Sequence, residues 1–440
     1  MNQGPHVVVI GAGFAGIQAS RELARQGCRV TLVDRHPYNT FQPLLYQVAT
    51  GGLNPGDVTY SLRNFAGKHP GVRFICGTVT AIDPDLRTVR LEDGRTLDYE
   101  YLVLGFGVTV NFFGLPGVAE NALPMYTRAQ AIACRDAVFG RLEHYAAMPA
   151  EERAGKDLHI VVVGGGATGV EMAGSLAEMR STGVPNMYPE LDRKRVKVHL
   201  IEAGPVLLGP FDHQLQEYTY DEMVKRDVDV RLNTSVAEID AAHIILKGGE
   251  VIESDVVIWG AGVGAYDWAR GLGLELGRGG RIVVDQMLRV KGQDRIFAAG
   301  DCSIIEDQAL PQLAQPAMQM GVHIAGQIVA LARGGQLQRF EYWDKGTMAT
   351  IGRNAAVAEI ALPGRSAPLP FTGFIAWALW VGVHLFMLLG GRNRVGAMIN
   401  LGFRYIAWGS NTWNIVGDLK SPRRAKRVAA ETESGADQLS

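Results

Sequence analysis

The sequence predicts an α/β fold of two doubly wound, three-layer units, the second inserted in the first, with a helical region appended at the C-terminus. Three observations carry this reading: a strand–glycine turn–helix–strand pattern that occurs twice, a polar β region that follows each copy, and a change of composition past Tyr342. A chain of 440 residues is also too long for one ordinary core.

The first copy, "HVVVIGAGFAGIQASRELARQGCRVTLVD", begins at His6. The second, "HIVVVGGGATGVEMAGSLAEM", begins at His159 and continues, after the insertion "STGVPNMYPELDRKR", into "VKVHLIEAG" from Val196. In each, an apolar β run meets a glycine turn, a helix rich in Ala and Leu follows, and a second β run ends in an acid. An alternating polar β region then closes on an apolar strand, "LDYEYLVLGFGVTV" in the first half and "IESDVVIWGAGV" in the second; a third such strand, "DRIFAAGD", ends at Asp301. These signals place a split first domain at 1–125 and 270–340, an inserted domain at 126–269, a C-terminal β/helical region at 341–415, and a basic then acidic tail at 416–440 whose composition predicts disorder.

In the first copy Gly11, Gly13 and Gly16 hold the GxGxxG positions. The first glycine permits the tight turn, the second lets backbone approach a pyrophosphate, and the third lets helix pack on strand. The helix N-terminus offers N–H groups and a positive dipole end to phosphate. Asp34 closes the second strand where an acid binds ribose hydroxyls. Gly164, Gly166 and Gly169 repeat the pattern, Glu202 is the second acid, and Ala261 and Gly262 end a strand at the carboxyl edge that lines a ligand crevice. Both units therefore read as Rossmann-like dinucleotide-binding domains. Two intact fingerprints need two nucleotides, and FAD with a nicotinamide is the economical pair, because flavin accepts hydride directly. A carboxylate at Glu202 bonds a 2′-hydroxyl and repels a 2′-phosphate, which favours NADH over NADPH.

Composition narrows the rest. A net charge of −2 supplies no basic field for nucleic acid. The four cysteines, Cys28, Cys76, Cys134 and Cys302, form no CxxC pair and no metal-ligand spacing with His, so no metal is expected. Residues 1–6 are short and uncharged and lead straight into a strand, so no leader is expected and the protein is placed on the cytoplasmic side.

These motifs resemble the two-dinucleotide flavoprotein reductases and, within them, the type II (non-proton-pumping) NADH:quinone oxidoreductases. The resemblance covers about Val7 to Trp413 and rests on "GAGFAG", "FQPLLYQVATG", "LPG" at Leu115–Gly117, "GGGATGVEMAG", "WGAG", "FAAGDC" and "AQPAMQMG". It implies that the first fingerprint takes FAD, that Asp301 binds the flavin's ribityl–phosphate arm, and that electrons leave to a membrane quinone, ubiquinone or menaquinone. The last motif matches the family's AQxAxQ quinone-site signature at Ala314, Gln315, Ala317 and Gln319, which puts Gln315 and its neighbours by the isoalloxazine and the quinone headgroup. Glu171 matches the family's acid near the nicotinamide and quinone sites, and Lys345 in "DKGTMATIG" is a candidate flavin contact. Sulfide:quinone oxidoreductases share the architecture but need reactive cysteines beside the flavin, and disulfide reductases need a CxxC; this chain lacks both patterns.

The C-terminal region bears on the membrane. Phe371 to Gly391 contains no Asp, Glu, Lys or Arg and is long enough to span a bilayer. A single span would put Arg392, Arg394, Arg404 and the cluster Lys420, Arg423, Arg424, Lys426 and Arg427 across the membrane from the NADH-using domain, against the positive-inside tendency. Val395, Met398, Ile399, Phe403 and Ile406 recur at helical spacing. Two in-plane helices, with Trp377, Trp380 and Trp408 of this stretch as interfacial residues and with basic contacts to anionic lipid, are expected, giving a peripheral, monotopic protein on the cytoplasmic face of the cell membrane. A homodimer using part of the same segment is compatible with this. Two other functions keep the fingerprints: a soluble NADH-dependent reductase of a protein partner such as ferredoxin, which has no need of this C-terminus, and a non-enzymatic NADH-sensing flavoprotein, which has no need of the quinone signature.

Overall fold

The structure is a computed structural model that describes residues 4–306, 308–365 and 367–406, with side chains of the last helix to residue 402. The tail, Trp408, the basic cluster and the side chains of Phe403, Arg404 and Ile406 lie outside the described residues. The chain divides into two compact units: Met1–Thr40, Tyr60–Thr109 and Val263–Asp344 form the first, and Phe41–Thr59, Val110–Gly262 and Lys345–Ser440 the second.

Along the chain the first unit opens with β1 (His6–Ile10), α1 (Phe14–Arg25) and β2 (Arg29–Asp34). The short helix α2 (Leu45–Ala49) belongs to the second unit; β3 (Val72–Cys76) and β4 (Tyr101–Leu104) return to the first. The second unit then supplies β5 (Leu123–Pro124), α3 (Arg128–Ala146), β6 (Leu158–Val163), α4 (Ala167–Glu178), β7 (Val196–Ile201), β8 (Val228–Arg231) and β9 (Val256–Trp259). The chain re-enters the first unit with β10 (Ile296–Ala298) and α5 (Ala314–Ala332), and ends in the second with β11 (Gly346–Gly352), β12 (Ala355–Ile360), β13 (Leu369–Thr372), α6 (Gly373–Met387) and α7 (Gly391–Ile406).

Each unit is built on a five-stranded parallel sheet. The first has the order β10-β4-β1-β2-β3 and the second β5-β9-β6-β7-β8. The two central strands of the repeat, β1 with β2 and β6 with β7, therefore occupy equivalent places, so the sequence duplication is a duplication of topology. The strands read as continuous Val/Ile/Leu runs because both faces are covered; in the second unit α4 lies on the sheet, and Val161, Val163 and Trp259 pack on Ile239, Ile244 and Ile252 of a small three-stranded antiparallel sheet. Val7, Val8 and Val9 are fully buried in β1, as are Ile160, Val161 and Val162 in β6.

Past the second sheet, β11, β12 and β13 form an antiparallel three-stranded sheet. Helix α4 packs its backbone directly on β11: a Cβ at Gly174 would overlap the Ile351 carbonyl. Helix α6 covers β12, with Ala376 joining Ala356 and Ala358 in a small core. The charge-free segment is thus broken into a strand end, a 15-residue helix and a turn. At 1.5 Å per residue that helix is about 22 Å long, short of the roughly 30 Å hydrocarbon thickness, and among the described residues no helix is long and apolar enough to cross a membrane. One expectation needs correction: Trp380 does not sit at an interface. It is 1% exposed, because it shares the Ala376 face of α6 that packs inward.

Candidate functional site

The glycine turn of the first unit is shaped by three different demands. Gly11 has φ +93°, and a side chain there would also strike the backbone of Gly105 and Phe106. A Cβ at Gly16 would overlap the Gly11 carbonyl, so this position sets the approach of α1 to the turn. Gly13 is different: its nearest neighbour would be the Gly105 oxygen at 3.9 Å, so it faces open space. It is also the N-cap of α1 and supplies no side-chain cap, leaving the first-turn N–H groups for a ligand. Asp34 Oδ2 accepts from Ala12 N at 2.7 Å and Oδ1 from His36 N at 2.8 Å, which holds the acid against the turn. Burial pushes the Asp34 carboxyl up, and the two N–H donors pull it back.

Asp301 follows β10, and its neighbour Gly300 lies against Ala15 in the first turn of α1. It lines a cavity with Arg281, Gly300, Pro316, Ala317 and Met320. Burial raises its carboxyl to about 6 against the opposing Arg281 charge. Gln315 is half-buried in the first turn of α5, next to Pro316 and Ala317 of that cavity. Gln319, one turn on, uses both ends of its amide on the backbone of Trp343: its Nε2 donates to the Trp343 carbonyl at 2.9 Å and its Oε1 accepts from Trp343 N at 3.1 Å. The open face at Gly13, the adjacent acid and the Asp301 cavity make a donor and acceptor set that fits FAD.

The second unit repeats the turn almost atom for atom. Gly164 has φ +111°, a Cβ at Gly169 would overlap the Gly164 carbonyl, and Gly166 faces open space. Glu202 Oε2 accepts from Gly165 N at 2.5 Å and Oε1 from Gly204 N at 2.6 Å. Gly262, at φ +78°, closes the strand end beside the Phe113 ring, which a Cβ would strike. This cradle fits a nicotinamide dinucleotide. Lys345 begins the chain's last excursion into this unit and is exposed.

Glu171, two residues past Gly169, is 8% exposed. Its Oε1 accepts from Thr350 N of β11 at a long 3.4 Å. Burial pushes the carboxyl up to about 8, while the Thr350 N–H and the Trp380 indole N–H lower it. One turn further along α4, Ser175 Oγ meets Thr50 Oγ1 at 2.8 Å, and Thr50 also donates to the Tyr46 carbonyl of α2. Tyr46 accepts from Gln47 Nε2 at 2.7 Å and lies edge-on to Trp380, with 6.0 Å between ring centroids. Helix α4 thus carries the buried Glu171 carboxyl, met by β11, and one turn on Ser175, met by Thr50. Sequence reading found Glu171 but missed Tyr46, Thr350, Trp380 and His384; the available signal was a Trp and a His four residues apart inside a charge-free segment.

The cysteines take no part in this chemistry. All four are free thiols. Cys302 is pushed up to about 12 and Cys134 higher by complete burial, which suppresses the reactive thiolate.

The pyridine nucleotide-disulphide oxidoreductase family matches residues 5–321. A type II NADH:quinone oxidoreductase of Mycobacterium tuberculosis, NdhA, is 32% identical over 98% of this chain and 93% of its own length. A second from that organism, Ndh, is 33% identical over 90% and 86%, and one from Haemophilus influenzae is 30% identical over 86% and 92%. Among solved structures, NDH2 of Plasmodium falciparum in complex with NADH superposes with a TM-score of 0.83 at 20% identity, covering 92% of this chain and 99% of that one. The sulfide:quinone oxidoreductase of Aquifex aeolicus reaches 0.72, also at 20% identity, over 95% and 99%. These two structures share the fold with this chain.

Proposed function

Because this chain belongs to the pyridine nucleotide-disulphide oxidoreductases and, within them, to the type II NADH:quinone oxidoreductases, we infer that it oxidises NADH and reduces a quinone, using FAD and without pumping protons. FAD, when bound, takes hydride from NADH and passes the electron pair on, so the overall reaction, NADH + H⁺ + quinone → NAD⁺ + quinol, balances without any residue changing oxidation state. The residues bind, orient and manage one proton. The first unit, with Gly11, Gly13, Gly16, Asp34 and Asp301, is assigned to FAD. The second, with Gly164, Gly166, Gly169, Glu202, Ala261 and Gly262, is assigned to NADH. Gln315 is assigned to the flavin and quinone side of α5, and Gln319 to holding the Trp343 segment that precedes Lys345. Glu171 is assigned to the quinone's proton, since a carboxyl titrating at about 8 is protonated at neutral pH.

The observation that carries the reading is the duplicated glycine turn, each copy closed by a strand-end carboxylate, in a chain that matches type II relatives nearly end to end. The ferredoxin-reductase alternative is not favoured by these matches.

For the membrane, the support is the outer face of the last two helices. On α6, Phe374, Ile375 and Phe386 are 60%, 60% and 75% exposed; on α7, Val395, Met398 and Ile399 are 51%, 54% and 48% exposed. With Arg392 and Arg394 at the start of α7, this face suits the surface of an anionic bilayer. The attachment is peripheral, with the cytoplasmic face as the expected side and a homodimer as the expected assembly; sedimentation in detergent tests the latter. Turnover of the purified protein with NADH and a water-soluble quinone tests the activity. A protein that reduces ferredoxin but leaves quinone untouched overturns it.

A further inference from the structure

Phe113 is a bulky residue held where side chains are rarely held. Its φ is +55°, a left-handed value that crowds a Cβ, and Gly114 follows at +64°. Such a conformation persists only where the surroundings impose it. Here they impose it through several contacts. Asn111 Oδ1 accepts from Phe113 N at 2.8 Å, the Trp259 indole N–H donates to the Asn111 carbonyl at 3.0 Å, and Asn111 N donates to the Gly262 carbonyl at 3.3 Å. Phe112 and Leu115 pack against the core around Trp259, Ile239 and Ile244. Phe113, between them, turns outward and is 57% exposed. A turn alone would be served without strain by Gly or Asn at this position.

The outward ring has a definite neighbour. It lies over Gly262, where a Cβ would fall inside the ring, and stands 6.5 Å from Trp259, centroid to centroid. Gly262 ends the WGAG run that begins on β9. The same run closes on the dinucleotide turn, since a Cβ at Gly164 would meet Ala261 N and the Gly260 carbonyl carbon at 2.9 Å. In the sheet, β7 and β9 flank β6 on opposite sides. Glu202, the acid assigned to the adenosine ribose, follows β7. A dinucleotide whose pyrophosphate sits on the turn after β6 therefore sends its other half to the β9 side. For NADH that half ends in the planar nicotinamide ring, and an exposed aromatic side chain is a surface on which such a ring stacks.

We propose that Phe113 binds the nicotinamide half of NADH: its ring, carried outward on a left-handed backbone, forms an aromatic wall of the second unit's crevice beside Gly262. This rests on the reading that the second unit takes NADH. Gly262 then has two reasons to be glycine, its φ of +78° and the ring that lies over it. The strain at Phe113 serves binding rather than folding, so stability and affinity separate when the residue is changed.

The test is equilibrium binding to oxidised, full-length holoenzyme, read by titration calorimetry with NAD⁺ and with ADP-ribose. The second ligand keeps the adenosine and the pyrophosphate and lacks the nicotinamide. Phe113→Asn tolerates the left-handed backbone and removes the ring. It should weaken NAD⁺ roughly threefold to tenfold and leave ADP-ribose nearly unchanged. Its Tm should be no lower than that of the parent, because strain is relieved while an exposed ring is lost. Phe113→Tyr keeps the ring and should keep the affinity for NAD⁺. Phe113→Leu, apolar but without a ring face, serves if the asparagine variant fails to fold. In stopped flow the NADH concentration that half-saturates flavin reduction should rise with the NAD⁺ dissociation constant. Unchanged NAD⁺ binding in the ring-less variants overturns the proposal. Equal loss of NAD⁺ and ADP-ribose also overturns it, because the ring would then only shape the crevice. A parent enzyme that binds neither ligand would overturn the assignment of the unit, and the proposal with it.

Discussion

Glu202 holds the glycine turn of its unit by accepting the backbone N–H of Gly165 at 2.5 Å, the same relationship that Asp34 has with Ala12 at 2.7 Å. The carboxylate shapes the turn, and it is also the group assigned to a ribose. Glu202→Gln keeps an acceptor for one N–H but removes the charge that repels a 2′-phosphate. The NADH/NADPH ratio in kcat/KM should narrow by about 1–3 kcal/mol, which is roughly fivefold to 150-fold. An unchanged ratio would remove Glu202 from coenzyme choice.

The two inner glycines of the first turn should fail in different ways. Gly13 faces open space, so Gly13→Val should fold and yet be purified without yellow colour, its side chain filling the place where a pyrophosphate approaches. Gly16→Ala puts a methyl group into the Gly11 carbonyl and should fail at folding itself. The flavin-to-protein absorbance ratio and circular dichroism separate the outcomes. Stoichiometric FAD in Gly13→Val would reassign the first fingerprint.

Gln315→Leu should slow flavin reoxidation by quinone while flavin reduction by NADH changes little, because the residue is assigned to the acceptor side. Stopped-flow absorbance of the two half-reactions decides this. Equal slowing of both would mean that Gln315 only supports the α5 terminus.

Glu171 should leave a signature in stability. Its folded carboxyl titrates at about 8 against an ordinary 4.5, so the folded state binds the proton more tightly than the unfolded one. Stability from this group is complete below about 4.5 and is lost as pH rises through about 8, with a slope of at most about 1.4 kcal/mol per unit. Glu171→Gln stays neutral throughout and should flatten that decline, raising the melting temperature relative to wild type at pH 9 more than at pH 6. A parallel offset at both pH values would contradict a buried, protonated Glu171.

What was legible in the sequence follows from how locally each feature is determined. Gly11, Gly16, Gly164 and Gly169 are required by turns and contacts within a few residues, so spacing alone reveals them, and the acids Asp34 and Glu202 follow at the end of the next strand. The neighbourhood of Glu171 is different. Thr350 reaches it from a sheet far along the chain, and no periodicity links the two. Trp380 was also read for the wrong face: an apolar helix with one inward and one outward side has little amphipathic contrast, so the sequence does not say which Trp is buried.

Membrane attachment is best tested by changing that outer face rather than by cutting the chain. Ending the protein at Pro370 would divide β13, uncover β12 where Ala376 packs, and remove the buried Trp380 that packs on Tyr46, so such a truncation should destabilise the second unit. Phe374→Glu with Phe386→Glu leaves those contacts in place, since both side chains are exposed. Each lost insertion of a large apolar side chain costs about 1.5–3 kcal/mol of binding, so the double variant should lose its vesicle affinity by at least a hundredfold. Added salt should weaken the wild type only partly, because the basic contribution is screened while the apolar one is not. Co-sedimentation with vesicles containing anionic lipid reads both effects. FAD content and NADH oxidation with a water-soluble acceptor should persist, since every glycine assigned to a nucleotide lies upstream of α6. A double variant that still pellets with vesicles would place the anchor on another surface, and one that loses its flavin would mean that the outer face of α6 supports the fold rather than the lipid contact.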